Sequence, residues 1–240
     1  IQALISSEMD ISAPLQISFE KALPNRNIKN ISVWVSNGIM HASFEVAAIN
    51  YIAKAAGWSV RIYEDSNASI ENFRDFYEDK DADILWVISH GSFDRFNEQN
   101  TGLVLSDNLF ISSETIKNWT INTTERRLLV LNSCSSATAQ GRGGRAIFGF
   151  AHGITSSRQM VVAHLWPIPW LSGLAFGAAF IANLMTEDIE KAFYLARINM
   201  QDPEYFHKNF AECPQLTDRI DRSDMDMKNF LSWSCPVLIC

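Results

Sequence analysis

The sequence is poor in cysteine: Cys134, Cys213, Cys235 and Cys240 are the only four among 240 residues, and their spacing is irregular. That excludes the disulfide framework of a small secreted domain. The same four lack the paired ligand spacing of a zinc site, so no metal is assigned. Positive charge is short as well, with 20 Lys and Arg against 27 Asp and Glu and a net charge of -7. Without a basic face to attract a phosphate backbone, direct binding to nucleic acid is not expected. The Walker spacing with its Lys-Ser/Thr is absent from the glycine-containing stretch SSATAQGRGGR (135–145), which argues against a phosphate-binding loop. The acidic run TDRIDRSDMD carries Asp218, Asp221, Asp224 and Asp226 but lacks the glycine and terminal glutamate of a calcium loop. No cofactor is expected.

An uninterrupted membrane span is also lacking. Residues 160–185 are nearly uncharged, but Pro167 and Pro169 would break a helix and His164 lies in the first half. The stretch reads as a strand, a Pro-marked turn and a small-residue helix, and no membrane association is expected. Four Asn-x-Ser/Thr sites (Asn30, Asn67, Asn118, Asn122) are a number that composition alone produces, so the expected location is cytoplasmic. The chain begins at Ile1 rather than Met and is expected to be a piece of something longer.

What the sequence does have is a set of unalternating apolar runs. Two are decisive: RLLVLNSC (127–134) and ADILWVISHG (82–91). A run without alternation suits a central parallel strand covered on both faces. Cys134 and His90 then stand at carboxyl ends of strands, where ligands bind in open α/β sheets. The rest of the chain supplies βα units. Strands are predicted over 31–35, 59–63, 160–166 and 236–240, with a small hairpin over 103–111 turning at Asp107-Asn108. Helices are predicted over 42–57, 69–78, 112–119, 146–153, 170–185 and 187–200. Residues 92–102 and 135–145 read as loops, 1–30 as an N-terminal lead-in, and 201–231 as a polar, irregular insertion in a domain spanning 31–240. The fold class is α/β, with a mostly parallel six-stranded central sheet flanked by helices.

A free cysteine is mostly thiol at neutral pH and needs a partner that takes its proton. An imidazole does this near pH 7 at little cost and can return the proton to a leaving amine. His90 and Cys134, about 44 residues apart with His first, have the order noted for caspases. The amides of Gly91 and Cys134 are candidates for holding an oxyanion. Gly91, having no Cβ, would leave room for a substrate backbone. His41 is placed near the end of the first strand, while His152, His164 and His207 read as structural.

The runs ADILWVISHG and RLLVLNSCSSA, the helix through IFGFAHG, then VVAHLWPIP, EKAFYLARI and WSCPVLI resemble a CHAT domain over about residues 31–240. This is a caspase-like peptidase family often fused to tetratricopeptide repeats and related to separase and gingipain. The resemblance implies a caspase-type sandwich, His90 as general base, Cys134 as nucleophile and a protein substrate. It also implies a regulatory sensor or repeat region, in the same protein or a partner. Substrate-pocket candidates are Asn37, His41, Asn132, Trp166 and Trp170.

The sequence departs from the family where many relatives carry an acid shortly after Leu-Trp, since Leu165-Trp166 is followed here by Pro167, Ile168, Pro169 and Trp170. Asn132, two before the cysteine, is uncharged where metacaspases carry Asp. A pocket without a carboxylate gives little reward for burying Lys or Arg, so cleavage is expected after an uncharged, apolar residue. Two other readings stay open: a catalytically silent interaction module of the same fold, and a thiol hydrolase or transferase acting on small acyl substrates.

Overall fold

The apolar runs pair into one six-stranded sheet in the computed structural model, which describes residues 27–240 apart from positions 37, 40, 65–68, 95, 107, 108, 122, 143, 144, 149 and 222–228. The first half of the chain gives β1 (Asn30–Val35), α1 (Ala42–Ala56), β2 (Ser59–Glu64), α2 (Ile70–Tyr77), β3 (Ile84–Ile88), β4 (His90–Ser92), β5 (Gly102–Ser106), β6 (Leu109–Ser112) and α3 (Ser113–Ile116). The second gives β7 (Arg127–Asn132), β8 (Ala139–Arg142), β9 (Arg145–Phe148), α4 (Phe150–Ile154), β10 (Gln159–His164), α5 (Trp170–Asn183), α6 (Ile189–Asn199), α7 (Pro203–Asn209), α8 (Pro214–Asp221), α9 (Phe230–Trp233) and β11 (Pro236–Ile239). The sheet order is β11-β10-β7-β3-β1-β2, and only β11 runs antiparallel to its neighbour.

Burial on both faces is why the central strands do not alternate. In β3, Ile84, Trp86 and Ile88 join the core under α1, α5 and α6, while Leu85 and Val87 join the one under α2 and α4. In β7, Leu128 and Val130 take the first side and Leu129 and Leu131 the second. Each such side chain contributes about 1.5–3 kcal/mol by leaving water. Local signals set the helix ends. The Ser69 side chain accepts from the Asn72 amide to open α2, and Gly57, at φ 71°, closes α1 in the left-handed conformation.

Four expectations are corrected. The strand of the ADILWVISHG run stops at Ile88, and His90 opens β4 in a separate antiparallel sheet with β5 and β6. The backbone of His90 pairs with that of Val104 rather than continuing the ladder of β3. Residues 139–148 are not a loop leading into a helix but the hairpin β8-β9, in which Ala139 pairs with Phe148. Only Phe150–Ile154 is helical there. The predicted helix over 112–119 is a single turn at Ser113–Ile116.

The region 201–231 is not irregular where the structure describes it. Its described part forms α7 and α8, opened by Asp202, which accepts from the Glu204 amide, with Pro203 in the first turn. Phe206, Phe210, Cys213, Leu216 and Ile220 recur three or four residues apart and all lie in the main core. Their spacing is helical, and the charges between them masked it. Residues 1–26 of the expected lead-in over 1–30, and the turn at Asp107-Asn108, lie outside the described residues.

Candidate active site

Ile88 and Asn132 are register partners on the adjacent parallel strands β3 and β7. Two residues beyond each stand His90 and Cys134, so the sheet itself brings imidazole and thiol to one edge. Both line a cleft of about 190 Å³. His41, Asn132, Trp170 and Glu45 line it too, with Ile39, Ile88, Ile168 and Leu174 as its apolar walls.

The turn that presents Cys134 is tightly held. Ser135 has φ 56°, a left-handed conformation that costs a residue with a Cβ about 1 kcal/mol or more. Its amide donates to the Trp166 carbonyl at 3.3 Å, and the Ala137 amide to the His164 carbonyl at 2.8 Å. The Ser136 hydroxyl donates to the Ser133 carbonyl and accepts from the His164 amide. The turn is thereby stitched to the end of β10. Across from it, the position of a Cβ on Gly91 is occupied by the Cys134 carbonyl. The glycine serves the chain's own backbone, which corrects the expectation that its open side receives a substrate.

Cys134 is half-buried and His90 exposed. The Cys134 thiol donates to the Ile168 carbonyl at 3.7 Å. Among the described residues no hydrogen bond joins it to His90. The nearby Cys235 thiol donates to the Trp166 carbonyl at 3.3 Å, and burial pushes its pKa up to about 12, so it stays protonated and offers no competing nucleophile.

Beneath the cleft lies a polar network that the sequence reading missed. The Asn132 amide nitrogen donates to both carboxylate oxygens of Glu45 at 2.8 Å and to the Gly173 carbonyl at 3.2 Å. Trp86 Nε1 donates to Glu45 Oε1 at 2.7 Å. His164 Nε2 donates to the Asn132 side-chain oxygen at 2.9 Å, which makes it the protonated nitrogen of a neutral ring. Burial raises the Glu45 pKa to about 7 against the pull of the Asn132 and Trp86 hydrogen bonds. Burial also lowers the His164 pKa to about 3. α5 accommodates the network with glycine. A Cβ on Gly173 would come 2.9 Å from the Asn132 oxygen, and one on Gly177 2.8 Å from Glu45 Oε1.

Glu45 overturns the expectation of a cleft without a carboxylate. The acid comes from α1 rather than from the Leu-Trp segment, and it is only 4 % exposed. One signal was available: Ala42, Glu45, Ile49 and Ile52 share the helical spacing of the buried face of α1, so its single carboxylate had to be buried.

At the rim, the His41 ring stacks on Trp170 with centroids 3.8 Å apart, and the Arg219 guanidinium lies 4.6 Å from the Trp170 ring. Burial first and the charge of Arg219 second lower the His41 pKa. Of the substrate-pocket candidates, the structure thus gathers His41, Asn132 and Trp170 in the cleft. The cleft lining does not include Trp166, which contributes its carbonyl to the turn behind it. Asn37 lies outside the described residues.

Comparisons with known proteins agree with this fold. The family model described as CHAT domain matches residues 19–238. Among curated proteins there is no match. The fold is similar to the crystal structure of the Arg-specific cysteine proteinase gingipain R, at TM-score 0.58 and 12 % identity, covering 90 % of this chain and 48 % of that one. The complex of the pro- and mature domains of RgpB from Porphyromonas gingivalis gives TM-score 0.57 at 12 % identity, with 90 % and 49 % covered. The Saccharomyces cerevisiae separase–securin complex gives TM-score 0.52 at 15 % identity, covering 90 % of this chain and 12 % of that one. The chain therefore spans about half of the gingipain chain and a small part of separase.

Proposed function

The chain belongs to the CHAT domain family, and from that premise we propose that it is a cysteine endopeptidase working through a His90–Cys134 dyad. The observation that carries the reading is the placement of both residues, two positions beyond a register pair on neighbouring strands, in the wall of one cleft. In the reaction His90 takes the thiol proton and Cys134 Sγ attacks the scissile carbonyl carbon. The carbonyl oxygen becomes negative and is held by the amides of Gly91 and Cys134. The protonated imidazole then gives its proton to the leaving amine, and the C–N bond breaks to leave a thioester. Water, deprotonated by His90, hydrolyses that thioester and restores the thiol.

The thiol's hydrogen bond to the Ile168 carbonyl supports a resting state that a signal must rearrange. A regulatory sensor or repeat region, in cis or as a partner chain, is the source we assign to that signal. The site of action we assign is the cytoplasm. Among the described residues no helix is long and apolar enough to cross a membrane.

The apolar walls of the cleft favour cleavage after an uncharged, apolar residue. A second reading, a basic residue there, is favoured by Glu45 alone, which lines the cleft without a cationic partner among the described residues. Peptides differing only at that residue separate the two. The dyad is tested by the rate at which Cys134 is alkylated as a function of pH, followed by peptide mapping in wild type and His90→Ala. A thiol titrating well below 8.5 that returns to normal without His90 is the expected result. An ordinary thiol indifferent to His90, with no peptide cleaved, would leave the silent interaction module and an enzyme awaiting its activator.

A further inference from the structure

The helix pair α7–α8 comes from the stretch read from the sequence as an insertion, yet through Arg219 it touches Trp170 in the cleft wall. Leu216 and Ile220 bury one face of α8 in the main core. His207 Nε2 lies 2.9 Å from Asp221 Oδ1 and ties α7 to α8. That anchorage fixes where Arg219 can go. Its guanidinium carbon sits 4.6 Å from the centre of the Trp170 ring, within cation–π range. Its Nε is buried and has no hydrogen-bond partner among the described residues. No carboxylate pairs with it among those residues either, so the aromatic face is the group it meets.

Trp170 is the first residue of α5 and is 41 % exposed. An indole at that position has a helix backbone behind it on one side only. It is held instead by its two neighbours, the His41 ring from the start of α1 and Arg219 from α8. Trp170 and His41 both line the cleft that contains Cys134. We propose that Arg219 is a positioning residue that clamps Trp170 against His41 and so sets the shape of the wall receiving the substrate side chain. The proposal rests on the peptidase reading of the site and names the element that tunes its selectivity. A fixed indole wall rewards a large apolar side chain, whereas a swinging one leaves the cleft wide and wet. A merely structural Arg219 would alter stability without altering this choice.

The test compares wild type, Arg219→Gln and Arg219→Lys in two ways, neither of which needs peptide hydrolysis. The first is the ratio of Cys134 labelling rates by acetyl-leucyl and acetyl-alanyl chloromethyl ketones. The second is the upfield ring-current shift of the His41 imidazole protons in NMR spectra. Arg219→Gln is expected to lower the leucyl-to-alanyl ratio about three- to tenfold, the span of a partly desolvated cation–π contact, and to move the His41 protons downfield. Arg219→Lys, which keeps the charge, is expected to retain part of both. An unchanged ratio, or an unchanged His41 shift in a folded Arg219→Gln, overturns the proposal. Failure of the wild type to cleave any peptide counts against the peptidase reading alone, because labelling and NMR still report on the clamp.

Discussion

The carbonyl oxygen of Cys134 fills the place where any residue but glycine at position 91 would carry its Cβ, which would also lie only 3.0 Å from the Cys134 carbonyl carbon and 3.3 Å from its nitrogen. The atoms in the way are backbone, so no rotamer change relieves the clash. Gly91→Ala must push the Cys134 turn out of register with His90. The expected outcome is a loss of about 1–3 kcal/mol of stability, read by urea unfolding, with slowed alkylation of Cys134. A variant of wild-type stability and thiol reactivity would show that the two backbones are not in contact.

Glu45 and His164 give the fold opposite responses to pH. Between about pH 4.5 and 7 the folded chain holds a proton on Glu45 that the unfolded chain releases. Stability from this group therefore falls as pH rises through that window, by on the order of 3 kcal/mol. His164, whose pKa is lowered to about 3, refuses a proton that the unfolded chain binds below about 6.5, so its contribution is lost as pH falls. Across pH 4.5–6.5 the two slopes oppose each other. Glu45→Gln removes one of them, and its stability relative to wild type should rise from pH 4.5 to 7. Urea titrations across this range check it, and parallel curves for the two proteins would rule out a buried, titrating Glu45.

Gly173 and Gly177 let α5 approach the network. Alanine at either would gain about 1 kcal/mol of helix propensity but would meet the Asn132 oxygen at 2.9 Å or Glu45 Oε1 at 2.8 Å. Because those oxygens are held by several hydrogen bonds, the contact should win, with a net loss of about 1–2 kcal/mol. The double variant Gly177→Ala with Glu45→Ala should cost less than the sum of the singles. Strict additivity in a double-mutant cycle would count against the contact.

Phe206 and Phe210 make the described part of residues 201–231 belong to the core. Phe206→Ala should therefore cost about 3–5 kcal/mol, measured by chemical denaturation. A change within about 0.5 kcal/mol is what a solvated insertion would give, and it would detach α7 from the domain.

The sequence by itself determined the six central strands, the helices over 42–56, 70–77, 170–183 and 189–199, and the edge at which His90 and Cys134 stand. Those features were legible because burial on both faces and helical spacing are local demands, written into consecutive residues. Only the tertiary structure decided what lies beneath and around them. Glu45, Asn132, His164 and Trp86 come from four elements far apart in the chain, and their hydrogen bonds have no period to betray them. The hairpin at 139–148 was missed because a short apolar segment such as AIF reads equally as strand or helix until a partner strand is known. Arg219 was hidden by its acidic neighbours. Its role follows from the packing of Leu216 and Ile220, which turns α8 so that a charge in a polar run lies on the indole of Trp170.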